Sequence, residues 1–130
     1  MSLPVLTALE RRSFARVDLG RRLIRKGHPR PAVDAALERA AGLGLLDDIE
    51  FARTYVQTRA ARGRGPARLT RDLMAMGVER GLIDQALAAK RVAQLGDLPR
   101  QVKRRRVLAY LARRGFAGRD ISELVARIVS

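Results

Sequence analysis

The sequence predicts an all-α protein of three tandem three-helix units, stacked into an elongated, curved array. Three observations predict it. A five-position template recurs along the chain: Leu19, Leu23, Gly27, Val33, Leu37; then Leu69, Leu73, Gly77, Ile83, Leu87; then Val107, Leu111, Gly115, Ile121, Val125. All fifteen positions agree in kind, which points to tandem structural repetition. Ala, Leu and Arg dominate and β-branched runs are absent, so local propensity favours helix throughout. Helix punctuation also falls where the template needs it, with Pro31 and Pro66 suited to first turns.

Taken in order, each element follows from that template. An apolar pair spaced i, i+4 lines one face of a helix, the glycine supplies the positive φ that ends it, and a second i, i+4 pair lines the next helix. Each unit thus contains a helical hairpin. A further helix precedes the first hairpin, from about Leu3 to Ser13. In the middle unit, Asp47-Asp48-Ile49-Glu50 reads as an N-cap with a capping box, and the helix it opens carries Phe51, Ala52, Tyr55, Val56 and Arg59 toward an end near Gly63. Asp84 and Asp120 stand near the starts of later helices, where an anion suits the helix dipole. The third unit has only Val92 to Leu98 ahead of Pro99, so its leading helix is either very short or fused to the one before. The expected units are 1–47, 48–91 and 92–130, with seven to nine helices and no sheet.

Composition narrows the function. The chain of 130 residues is 47% hydrophobic, enough for a core, and carries a formal net charge of +14. Lys26, Lys90 and Lys103 are its only lysines, so the excess is arginine. Each expected unit is itself net basic, which spreads the charge along the molecule and points to an anionic partner of some length. There is no cysteine, which excludes a disulfide framework, a thiolate metal site and a thiol nucleophile. No uncharged stretch approaches a membrane span, and the chain reads as soluble and cytoplasmic.

Little in the sequence resembles a catalytic or cofactor site. Asp47 and Asp48 are the only adjacent carboxylates, and helix capping accounts for them and for Glu50. His28, the single histidine, sits between Gly27 and Pro29 in an expected turn without metal-binding company. Arg62-Gly63-Arg64-Gly65-Pro66 lacks the spacing of a nucleotide loop, although a basic turn entering a helix N-terminus suits a phosphate or carboxylate. Lys103-Arg104-Arg105-Arg106 is the densest charge cluster, and Arg113 and Arg114 extend it. On that helix Val102, Val107, Leu108 and Leu111 are expected to take the buried face, leaving the cations for a partner.

Several stretches, read in order, resemble one known family. Leu23-Ile24-Arg25-Lys26-Gly27, the Gly42-Leu43-Gly44-Leu45-Leu46-Asp47-Asp48-Ile49-Glu50-Phe51-Ala52 junction, the Arg62-Gly63-Arg64-Gly65 turn and Leu111-Ala112-Arg113-Arg114-Gly115-Phe116 look like the RecX family, over about Leu9 to Val129. The resemblance implies three tandem three-helix repeats in a regulator, not an enzyme, that binds RecA and RecA–DNA filaments and limits their growth and activity. It implies no cofactor. Ala15 stands where the family often has a small hydroxyl cap, which predicts a weaker or shifted helix start.

Charge and geometry nominate Arg62, Arg64, Arg68 and Arg71 in the middle unit, with Arg104, Arg105, Arg106, Arg113 and Arg114 in the last, as contacts to the RecA filament or to DNA phosphate. The expected protein is a monomer with weak direct DNA binding at most. The alternative is a helix-turn-helix protein acting on DNA alone. Against it, the candidate recognition helices 79–91 and 119–129 carry acids and no row of Arg, Asn or Gln.

Overall fold

Eight helices and no strand make up residues 3–11 and 13–130, which the computed structural model describes. They are α1 (Leu3–Arg11), α2 (Arg16–Arg25), α3 (Arg30–Gly42), α4 (Asp48–Ala60), α5 (Pro66–Ala75), α6 (Arg80–Gln94), α7 (Arg100–Ala112) and α8 (Arg119–Val129). The three template hairpins are α2–α3, α5–α6 and α7–α8. All twelve apolar template residues are buried, from Leu69, Leu73, Ile83 and Leu111 at 0% exposed to Ile121 at 9%.

Each template glycine closes its helix by the same pair of bonds. Gly77 N–H donates to the Met74 carbonyl and Val78 N–H reaches back to Leu73; Gly27 with His28, and Gly115 with Phe116, repeat the pattern. This double bond satisfies the orphan carbonyls of a helix end and requires a left-handed residue, here φ 81° at Gly77. Gly44 and Gly63 end α3 and α4 in the same way, so the chain uses one terminator five times.

The boundaries depart from expectation in two places, and at a third the structure decides between a very short and a fused leading helix. α1 ends by Arg11, short of Ser13, and α4 ends at Ala60, where the Gly63 turn draws the last carbonyls into its own bonds. The third hairpin has no leading helix of its own: α6 runs through Val92 to Gln94, and Leu95 to Pro99 form a turn around Gly96 at φ 60°. Asp84, expected as a helix-start anion, is instead the one buried charged residue among those described, at 3% exposed. The Asp120 side chain lies outside the described residues.

Two hydrophobic clusters, not three, hold the molecule together. One joins Val5, Leu19, Leu23, Val33, Ala36, Leu37, Ala40 and Leu46 among α1–α3. The other runs continuously through α4–α8, with α6 at its centre packed against α4, α5, α7 and α8. Among the described residues, Ala15, fully buried just ahead of α2, is the only one from the α1–α3 part of the chain in the second cluster.

Polar contacts reinforce that junction. Asp47 caps its own helix, accepting from Ile49 N–H at 3.0 Å and Glu50 N–H at 3.4 Å. Its neighbour Asp48 caps a different helix: one carboxylate oxygen accepts from Arg16 N–H at 2.8 Å, in the first turn of α2. The cap that Ala15 cannot supply therefore comes from the next unit, and α2 starts without a shift. Glu50 does not close the capping box but pairs with Arg53 at 3.6 Å. Arg21 then donates to the Ala75 carbonyl at 2.9 Å, and Val17 lies against Gly77.

Candidate partner-binding surface

The nine nominated arginines separate into groups once the helices are in place. Arg62, Arg68 and Arg71 are exposed on the α4–α5 turn and on α5, and none pairs with a carboxylate among the described residues. Arg64, between them in sequence, turns inward. Its guanidinium donates to the Tyr55 hydroxyl and to Asp72 Oδ2, both at 2.9 Å, while Tyr55 donates to the same Asp72 oxygen at 3.0 Å. That closed triangle fixes the α4–α5 turn to α5 and leaves Arg64 little capacity for a partner.

Arg114 is engaged in the same sense. It lies 3.6 Å from Asp84 Oδ1, and its guanidinium carbon sits 3.7 Å from the centre of the Tyr110 ring. Asp84 also receives Arg80 at 3.4 Å, so one buried carboxylate ties α6 to the α7–α8 turn. Burial raises the Tyr110 phenol above its ordinary pKa; Arg114 opposes this, Asp84 adds to it, and Arg91 and Arg80 oppose it.

The remaining basic run is divided by the twist of α7. Arg104 and Arg105, with Gln101, Leu108, Ser122 and Val125, line a groove of about 530 Å³ between α7 and α8. Arg106 and Arg113 face the other way, onto a groove of about 260 Å³ between α6 and α7. There they meet Arg91, whose guanidinium carbon is 4.9 Å from the Tyr110 ring centre. Arg91 escaped sequence reasoning because it belongs to a different helix, and only packing brings it beside the run. The buried face of α7 is also not the expected one: Tyr110 joins Val107 and Leu111 inside, Val102 is half-buried, and Leu108 is 42% exposed. Two guanidinium groups cover the Tyr110 ring, and the cation–π contacts favour its place at the edge of the core.

No three described His, Cys, Asp or Glu side chains gather as a metal site, and no described helix is long and apolar enough to cross a membrane. The site is a surface: exposed, uncompensated arginine on α5 and α7 along a stack of hairpins.

Comparison with known proteins places the chain in a family. A family model described as the second three-helix domain of RecX matches residues 47–87. Regulatory protein RecX of Halorhodospira halophila (strain DSM 244 / SL1) is 35% identical over 135 aligned residues, covering 93% of this chain and 83% of its own. This chain belongs to the RecX family. Regulatory protein RecX of Pseudomonas entomophila (strain L48) is 33% identical, covering 94% of this chain and 84% of its own. Two RecX crystal structures share the fold: one at TM-score 0.60 and 23% identity, over 95% of this chain and 67% of that one. The other, RecX from Lactobacillus salivarius, reaches TM-score 0.56 at 17% identity, over 95% of this chain and 90% of its own. RecX proteins are regulators and not enzymes, and a regulatory role follows for this member.

Proposed function

We propose that this RecX protein binds the RecA recombinase and the RecA–DNA filament, and that its binding limits filament growth and ATP hydrolysis in recombination and repair. The observation that carries the reading is the placement of unpaired arginine on successive hairpins of one stack, within a family of regulatory proteins. Such a rod meets several subunits of a periodic partner at once, so weak individual contacts multiply. Tighter binding to one state of the filament than another then shifts its assembly without chemistry.

The contacts assigned to the partner are Arg62, Arg68, Arg71, Arg104, Arg105, Arg106 and Arg113, with acidic side chains or DNA phosphates as their counterparts. Arg64 and Arg114 support the surface from behind, since their guanidinium groups already serve Asp72 and Asp84. The three-unit division at 1–47, 48–91 and 92–130 belongs to the same reading, as do a cytoplasmic location and a monomeric state. A helix-turn-helix protein acting on DNA alone is disfavoured by α6. The second helix of the middle hairpin buries Ile83, Asp84, Ala86, Leu87 and Ala88 at the centre of the larger core and is not free to enter a major groove.

The test is RecA-catalysed ATP hydrolysis on single-stranded DNA at roughly physiological salt, where a Debye length of about 8 Å screens loose charge attraction. The expected result is inhibition when the protein is far scarcer than RecA. Inhibition that appears only near stoichiometry with nucleotides, or vanishes on adding excess DNA, overturns the reading in favour of simple competition for DNA.

A further inference from the structure

The repeat provides its own internal comparison. In the first helix of each hairpin, the residue after the template leucine faces solvent: Ile24 at 40% exposed, Met74 at 51%, and Ala112 in the third hairpin. The third hairpin folds with alanine there, so hairpin geometry does not call for a large apolar side chain. Ile24 and Met74 each leave two fifths or more of their surface to solvent. The residue one turn earlier repeats the contrast, being Arg21 in α2 and Arg71 in α5 but Ala109 in α7.

A side-chain bond links the neighbourhoods of the two positions. Arg21, one turn before Ile24, donates to the carbonyl of Ala75, the residue after Met74, at 2.9 Å. The ends of α2 and α5 meet beside this bond, where Val17 rests on Gly77. Arg21 and Arg25 on α2, and Arg68 and Arg71 on α5, are all exposed on the same two helices. The only carboxylates on these two helices are already taken, Asp18 by Arg22 at 3.1 Å and Asp72 by Arg64 at 2.9 Å.

We infer that Ile24 and Met74, rimmed by Arg21 and Arg71, form a docking surface for an acidic amphipathic segment of a partner protein. The apolar side chains of that segment seat on Ile24 and Met74, and its carboxylates meet the arginines. Charge complementarity selects an acidic occupant, and the apolar centre selects protein over DNA, because a phosphate backbone gains nothing from isoleucine and methionine. The surface lies mainly outside the last-unit arginine groups, and the inference rests on the proposed function only for naming RecA as the source of the segment.

Two measurements test it separately from that reading. A synthetic peptide of roughly four helical turns, leucine along one face and glutamate elsewhere, is titrated at about 0.15 M salt against the full chain by fluorescence anisotropy. Saturable binding is expected, weakened about tenfold or more in the Ile24→Ala/Met74→Ala variant, which copies the third hairpin, while circular dichroism and Tm stay unchanged. Leu43→Ala/Leu45→Ala, which removes exposed apolar side chains between α3 and α4, should bind the peptide as the parent does. A control peptide with serine in place of leucine should bind at least about tenfold more weakly. Equal binding of the control peptide, or unchanged affinity in the Ile24/Met74 variant, overturns the docking surface. The same variant is then tested on RecA-coated DNA, where reduced binding supports RecA as the partner. Unchanged filament binding, with peptide binding lost, overturns that assignment and keeps the surface.

Discussion

Asp84 is the residue on which the packing of the last two hairpins turns. Its carboxylate is 4% exposed and is neutralised by Arg80 and Arg114, so truncating Arg114 leaves a buried charge with one partner, itself more than half exposed. Arg114→Ala should therefore lower stability by about 2 kcal/mol in urea unfolding, whereas Arg105→Ala, exposed and unpaired, should stay within about 0.5 kcal/mol. Equal effects would remove the distinction between supporting and contacting arginines. Tyr110 beside them gives a pH signature. Its neutral form is favoured in the folded chain, chiefly by burial, so the unfolded phenol ionises first. The associated stability is fully present below about pH 10 and is lost as pH rises through the raised folded value. Urea midpoints should fall as pH rises above about 10, and less steeply in Tyr110→Phe; parallel profiles would contradict this.

Among the elements, the turn after α5 is the least replaceable. Gly77 has φ 81°, and a Cβ there would stand 2.4 Å from Val17 Cβ, whereas Gly27 and Gly115 have left-handed φ but open space around them. Gly27→Ala and Gly115→Ala should each cost about 1 kcal/mol for conformation alone. Gly77→Ala should cost on the order of 3 kcal/mol, because α2 must also move away from α5. A Val17→Ala background removes the Cγ atoms that stand 2.6 and 3.1 Å from that Cβ and keeps the Val17 Cβ, so it should recover part of the Gly77→Ala loss in a double-mutant cycle; strict additivity would show that the Cγ contacts carry no energy. The start of α2 makes a second test. Asp48→Ala removes a cap supplied from another unit and should cost about 1 kcal/mol, with faster amide exchange at Arg16 than in the parent. Unaltered exchange there would mean that Asp48 does not hold α2.

For the molecule as a whole, the two clusters set how it opens. Its accessible surface of 8393 Å² exceeds the roughly 6,800 Å² of a compact monomer of this mass, as an extended stack requires. The α1–α3 cluster is the smaller and is joined to the rest by Ala15, the Asp48 cap, the Arg21 bond and the Val17–Gly77 contact. Hydrogen exchange should find a lower opening free energy for the amides of Leu23 and Leu37 than for those of Ile83 and Leu87. A single common value would mean that the molecule opens as one unit.

Much of this was legible in the residues themselves. The template spacing determined that Leu23, Leu73 and Leu111 are buried and that a left-handed glycine follows each, because i, i+4 geometry and helix termination are local physics. The net charge of +14 pointed to an anionic partner, and the ordered junction and turn motifs pointed to the family. Tertiary structure decided what depends on contacts between distant residues. Arg64 and Arg114 read from sequence as free cations, like Arg62 and Arg113, until folding brought Asp72 and Asp84 to them. Asp48 read as part of its own helix start, yet it caps a helix that begins 32 residues earlier. The third leading helix disappeared into α6, where continuing the helix kept Val92 against the shared core. Periodicity encodes which face of a helix is apolar, but the partner of each polar side chain is settled only when the helices are packed.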